Sequence, residues 1–148
     1  MRLSLQVQYA VYGVFDLAYN AHGEPVQVRV IGERQSIPPR YLEQIFQRLR
    51  RARIVTGKRG PGGGYLLARP PSEITLRDVV EAVEGDARRG LAPELRADAA
   101  APYRPAFLWP QLADRFTDVL AAVSFEALCR EAAREHVRRA ESEPSYVI

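Results

Sequence analysis

Apolar residues recur at three- and four-residue steps near the start of the chain: Val7, Ala10, Val11, Val14, Phe15, Leu17, Ala18 and Ala21. That spacing predicts a helix over 6–21 with one buried face, ended by His22-Gly23 and Pro25. A short second helix is expected over 28–34 on Val28, Ile31 and Val30, although valine is a poor helix former and a strand is the alternative there. Gln35-Ser36-Ile37 reads as a turn. Pro38-Pro39 then opens a third helix, because proline suits a first turn whose N–H groups have no partner within the helix. Tyr41, Leu42, Ile45, Phe46 and Leu49 are expected to form its buried stripe, with Arg40, Glu43, Gln44, Gln47, Arg48 and Arg51 elsewhere around the cylinder.

The period then changes. Ile54-Val55-Thr56 and Tyr65-Leu66-Leu67 are short β-prone runs joined by Gly57-Lys58-Arg59-Gly60-Pro61-Gly62-Gly63-Gly64, a hairpin with a long glycine-rich tip. After Pro70-Pro71 a fourth helix is expected over 74–84, with Leu76, Val79, Val80 and Val83 on one face and Gly85 as its stop. Residues 86–104, rich in alanine, arginine and proline, read as an irregular loop. Trp109-Pro110 begins another helix, in which Leu112, Phe116, Val119 and Val123 repeat at 4-3-4 spacing, the seam of a helix packing on a partner helix. Ser124 can cap a further helix to about residue 139, or the two can run on as one.

Composition narrows the class. The 148 residues are 47% hydrophobic and 26% charged, a globular balance with room for one sizeable core. No apolar run approaches the length of a membrane span, and 1–6 has no secretory h-region, so a cytoplasmic setting without a membrane partner is expected. One cysteine, Cys129, excludes an intrachain disulfide framework. The net charge of +3 hides an asymmetry: ten basic residues lie between Arg29 and Arg69 against only Glu33 and Glu43. Such a segment suits a polyanion, or is simply a solvated basic face. No nucleophile–base pair, metal-ligand spacing or carboxylate pair stands out, so neither an enzymatic role nor a cofactor is expected. His22 and His136 are far apart and read as surface residues.

Three helices followed by a two-stranded wing make a mainly α fold with a small β-hairpin, the winged helix-turn-helix, whose third helix enters the major groove of double-stranded DNA. Pro39 sets the helix start, and Arg40, Gln44 and Arg48, four apart, are expected to point into one groove. There arginine reads guanine and glutamine adenine. In the wing, Lys58 and Arg59 precede Gly60, Pro61, Gly62 and Gly63, where glycine permits positive φ and close approach to phosphate. A basic tip also suits the narrow minor groove. A nucleotide-binding loop is the rival reading, but no Gly-Lys-Ser/Thr closes this loop and a strand follows it.

The stretches Arg34-Gln35-Ser36-Ile37-Pro38-Pro39-Arg40-Tyr41-Leu42-Glu43-Gln44-Ile45, Leu49-Arg50-Arg51-Ala52 and Arg59-Gly60-Pro61-Gly62-Gly63-Gly64-Tyr65-Leu66-Leu67-Ala68 resemble the Rrf2 family of bacterial transcription regulators, as do Tyr9-Ala10-Val11 and Ile74-Thr75-Leu76-Arg77-Asp78-Val79. The resemblance covers 1–85 closely and the remainder in layout. It implies a homodimer, a C-terminal dimerisation helix and a dyad-symmetric operator, with Tyr41 and Gln44 facing the major groove and Arg59 the minor groove. The expected organisation is a DNA-binding domain over 1–85, a loop over 86–106, dimerisation helices over 107–140 and a tail over 141–148.

Several positions depart from the family's pattern. Many members hold an iron–sulfur cluster through three cysteines in the loop after the fourth helix, but 86–104 contains neither cysteine nor histidine. Thiolates are what such a cluster requires, so none is expected. Gln8 stands where some members place an acidic ligand, Gln27 where Ser or Thr often caps the second helix, and Arg53 where glycine often ends the third. A left-handed arginine there costs ~1 kcal/mol unless the helix ends differently. Cys129 is either a small buried residue or a redox-sensitive thiol. Tyr103, Phe107 and Trp109 either pack or line a pocket for a small-molecule effector. A second class of function, regulation through a bound protein or effector, is the alternative to operator binding.

Overall fold

The computed structural model describes residues 3–88 and 102–141. Six helices and one hairpin follow in order: α1 (Leu5–Asn20), α2 (Val28–Gln35), α3 (Pro39–Arg51), β1 (Val55–Lys58), β2 (Gly64–Leu67), α4 (Leu76–Glu84), α5 (Leu108–Ala121) and α6 (Phe125–Arg134), with a 3-10 turn at Pro71–Glu73 before α4. The second element is thus a helix, not a strand. It starts without a side-chain cap, since Gln27 makes none. Most of the loop expected over 86–104, and the tail from 142, lie outside the described residues.

One apolar core joins these elements. Val7, Val14, Ile31, Leu42, Phe46 and Leu49 are buried with Ile54, Ile74 and Val79, and Leu120 and Phe125 belong to the same cluster. The C-terminal helices therefore share the core of the first 85 residues. The hairpin is antiparallel, with Val55 opposite Leu67 and Lys58 opposite Gly64. Val26 extends it by one bridge, exchanging hydrogen bonds with Tyr65 at 3.0 and 2.8 Å. That contact leaves no space for a side chain at Gly64, whose Cβ would meet the Val26 carbonyl carbon at 2.5 Å. Phe46 packs on Tyr65 with ring centroids 4.9 Å apart, so the wing is anchored to α3.

The caps explain where the later helices begin. Thr75 and Asp78 form a reciprocal capping box, which starts α4 at Leu76, two residues later than expected. Ser124 accepts from Ala127 N–H and starts α6. The two caps pair as a short bridge, Leu76 N–H donating to the Val123 carbonyl (3.0 Å) and Phe125 N–H to that of Ile74 (2.9 Å). This bridge separates α5 from α6. It also corrects the expected seam: Val123 lies beyond α5, Phe116 packs against the core, and only Leu112 and Val119 remain exposed, with Leu108 and Trp109 beside them.

The helix α6 ends at Arg134, short of the expected 139. His136 turns left-handed (φ 59°) and the chain folds back across α1. There Tyr19 Oη donates to the Val137 carbonyl (2.9 Å), Ala140 N–H donates to Asn20 Oδ1 (2.8 Å), and the Arg139 guanidinium sits 4.4 Å from the Tyr19 ring centre.

Candidate nucleic-acid interface

The helix-turn-helix is held by a buried carboxylate. Asp16 of α1 is fully buried and accepts from Arg34 Nε (3.1 Å), Arg34 Nη2 (2.6 Å), Gln35 Nε2 (2.9 Å) and Asn20 Nδ2 (3.3 Å). Arg34 and Gln35 are the last residues of α2, so a two-pronged ion pair fixes that end just before the turn into α3. Ser36 takes the left-handed conformation (φ 56°) that makes the turn, and Ile37 is buried beneath it. The sequence reading missed Asp16. Its signal was an acidic residue inside the apolar stripe of α1, in step with Gly13, Leu17 and Asn20.

Helix α3 buries Leu42, Ile45, Phe46 and Leu49 and exposes Pro39, Arg40, Tyr41, Glu43, Gln44 and Gln47. At about 100° per residue, Arg40, Gln44, Gln47 and Arg51 fall within about 60° of one another, opposite the buried stripe. Tyr41, expected in the buried stripe, is instead 43% exposed: it lies at the edge of that stripe beside Tyr9, and Arg40 stacks on it with its guanidinium carbon 5.0 Å from the ring centre. Arg48 departs from the expectation. It lies on the α1 side of the helix, and its Nη1 donates to Gln6 Oε1 (3.1 Å) and to the Val83 carbonyl (3.0 Å). Its charge is tied to α1 and α4, and it does not extend the outward stripe.

The wing tip is tighter than the eight-residue connection suggested, since Lys58 is the last residue of β1 and Gly64 the first of β2. Gly63 N–H donates to the Gly60 carbonyl (2.9 Å) across Pro61 and Gly62, and Gly62 has φ +72°. Proline followed by a positive-φ glycine is a type II turn. Lys58, Arg59, Gly60, Pro61 and Gly62 are exposed, while Gly63 is buried by the turn itself. Between wing and helix, Val28, Glu43, Gln44, Gln47 and Tyr65 line a cleft of about 440 Å³.

Within one chain Tyr103 is 99% exposed, and Phe107 and Trp109 are also exposed, so the described residues neither pack these three rings into the core nor close a pocket around them. Cys129 is half-buried on α6, and burial pushes its thiol above the usual value, partly offset by Arg139. That direction makes thiolate scarcer, the opposite of an activated cysteine. Among the described residues no group of three or more His, Cys, Asp or Glu side chains is placed to hold a metal ion. None of the described helices is long and apolar enough to cross a membrane.

The family model described as "Rrf2: Iron-dependent Transcriptional regulator" matches residues 3–131. The chain belongs to the Rrf2 family. Among curated relatives, the HTH-type transcriptional regulator IscR of Photorhabdus laumondii is 42% identical over 132 residues, covering 86% of this chain and 79% of its own length. IscR of Escherichia coli O1:K1 is 39% identical over 132 residues, covering 86% and 80%. Among solved structures, CymR, the global cysteine regulator of B. subtilis, superposes with a TM-score of 0.74 at 28% identity, covering 88% of this chain and 98% of its own. IscR of T. potens gives 0.74 at 27% identity, covering 95% and 94%. The protein is accordingly an Rrf2-family winged-helix transcriptional regulator, and its mainly helical fold with one antiparallel hairpin is the one these regulators share.

Proposed function

We propose that this Rrf2 protein binds a dyad-symmetric operator as a homodimer, with α3 in the major groove and the wing tip in the minor groove. The observation that supports this reading most directly is the arrangement of two exposed polar surfaces about one cleft. Glu43, Gln44 and Gln47 form the helix wall, Arg40 and Tyr41 are exposed on the first turn of the same helix, and the glycine-turned tip with Lys58 and Arg59 projects beyond the wall made by Val28 and Tyr65. Arginine and glutamine can pair two-pronged with guanine and adenine edges, and glycine lets the tip approach the backbone closely. Pro39 at the first helical position presents the N-terminal turn of α3 to the DNA.

Selection of binding sites from random duplexes tests the reading. Inverted half-sites about one helical turn apart are expected. Gln44→Ala should change the preferred bases while leaving the salt dependence of binding nearly untouched. Arg59→Ala should weaken operator binding at least severalfold and flatten that dependence. An Arg59→Ala protein that binds its operator as tightly as the parent would remove the wing from the interface.

The reading also holds that no iron–sulfur cluster takes part. The donor set does not fit one: the sequence has a single cysteine, and it sits half-buried on α6 rather than in the loop after α4. Protein purified without oxygen is expected to be colourless, and charge-transfer absorption in the visible range would contradict this.

A further inference from the structure

We propose that Arg50, Arg51 and Arg53 form a second phosphate-binding site, at the C-terminal end of α3 and the foot of the wing, that grips the DNA backbone at the far edge of the groove entered by α3. The site rests on the operator-binding reading above and adds a contact to it. Most other arginines near this surface are engaged within the chain: Arg29 with Glu33, Arg34 with Asp16, Arg48 with Gln6, Arg69 with the Glu73 carbonyl. Arg50, Arg51 and Arg53 are all exposed, and among the described residues none of their guanidiniums has a partner.

Position gives this cluster a direction. Arg51 continues the outward stripe of Arg40, Gln44 and Gln47 by one more turn, taking the place that the sequence reading gave to Arg48. Arg50 lies on the wing side of the helix. Arg53 follows the helix and precedes β1, at the base of the hairpin whose tip carries Arg59. Six residues of extended chain span at most about 20 Å, far enough for foot and tip to meet different phosphates.

The backbone at Arg53 is the second, independent observation. Ile54 N–H donates to the Leu49 carbonyl and Arg53 N–H to that of Arg50, both at 3.0 Å, which closes the helix in a Schellman motif. The motif needs a left-handed residue at its centre, and Arg53 occupies it with φ +60°. Glycine would take this conformation without strain. Among the described residues the arginine side chain makes no hydrogen bond or ion pair to offset the strain, which points to a partner outside the chain. Cations do offset the negative end of the helix dipole, but Arg48, Arg50 and Arg51 already occupy the last turn. A planar guanidinium fork suits a phosphodiester oxygen pair.

The test is duplex binding by the full chain, to the selected operator and to random-sequence DNA, across about 50–200 mM salt. Arg51→Ala is expected to reduce the slope of log affinity against log salt by about 0.9 per protomer and to weaken both duplexes alike. Arg53→Gly is expected to do the same while raising the melting temperature by about 3 °C, because the strained residue is gone. A purely structural role would move stability and leave the slope alone. If Arg51→Ala, Arg53→Gly and the triple variant with Arg50→Ala all keep the parent slope while Arg59→Ala lowers it, this second site is wrong and operator binding stands. If these variants lose operator preference with the slope unchanged, the residues read bases and the phosphate assignment is overturned. A parent protein that holds no duplex at low salt sinks both readings together.

Discussion

Replacing Asp16 with alanine is expected to cost about 3 kcal/mol of stability, and with it the binding of DNA. The side chain is fully buried and is the shared acceptor for Arg34, Gln35 and Asn20. Removing it leaves a guanidinium that is about three-quarters withdrawn from water with no anion to meet it. The same deletion strands the amide of Gln35 and empties a polar space between α1 and the end of α2. Breaking one side of a buried pair is costly because the other side stays behind, whatever the intact pair contributes on balance. Urea unfolding of the variant should show the midpoint shifted down with a similar slope, and thermal unfolding a drop of about 10 °C. A loss below about 1 kcal/mol would mean that water reaches Arg34 and that the pair is not structural. The double variant Asp16→Leu with Arg34→Met should recover much of the stability, since neither buried charge then remains. It should not recover operator binding fully, because the end of α2 would no longer be fixed in direction relative to α3.

Much of the fold was legible in the sequence because local signals and the buried pattern agree. The α3 stripe of Leu42, Ile45, Phe46 and Leu49, the Pro38-Pro39 start and the Gly60-Pro61-Gly62-Gly63 tip each name one local conformation, and each is found. The left-handed Arg53 was also readable, as an arginine standing at a helix end where the Rrf2 pattern often has glycine. What escaped depends on distant partners. Four-residue spacing put Arg48 beside Arg40 and Gln44, but each step of four advances about 40° around the helix. By the third residue the side chain has turned to α1, where Gln6 and the Val83 carbonyl capture it. The seam on α5 failed for a similar reason. Periodicity says that Leu112, Phe116, Val119 and Val123 can share a face, but not where the helix stops. The stop is set by the pairing of Thr75 with Ser124, residues almost 50 apart in sequence. Asp16 escaped because burial of a charge depends wholly on a partner 18 residues away.

The second large effect concerns assembly. Leu112→Glu is expected to convert the protein to a monomer and to weaken binding to a two-half-site operator by about 10²–10⁴-fold. Leu112 is 42% exposed and Val119 63% exposed on the outer side of α5, with Leu108 and Trp109 beside them. A row of large apolar side chains left in water on one helix is what a second copy would cover. The inward side of the same helix, Ala113, Phe116, Thr117 and Leu120, is already occupied by the core. The exposed row therefore contributes little to the fold of one chain, and a glutamate there should leave the urea midpoint of the monomer close to that of the parent at high dilution. Phe116→Glu is the contrasting variant, expected to unfold the protein because that ring packs inward. Sedimentation equilibrium reads the assembly, and titration of an operator against a single half-site reads its consequence. In the proposed homodimer, paired α5 helices would set the distance between two α3 helices, and the dimer would gain its second half-site at high effective concentration. The parent should therefore prefer the full operator strongly and the Leu112→Glu protein only slightly. A Leu112→Glu protein that sediments as a dimer and keeps the full preference would place the interface on another face, and the apolar row on α5 would then have to be covered by something other than its own copy.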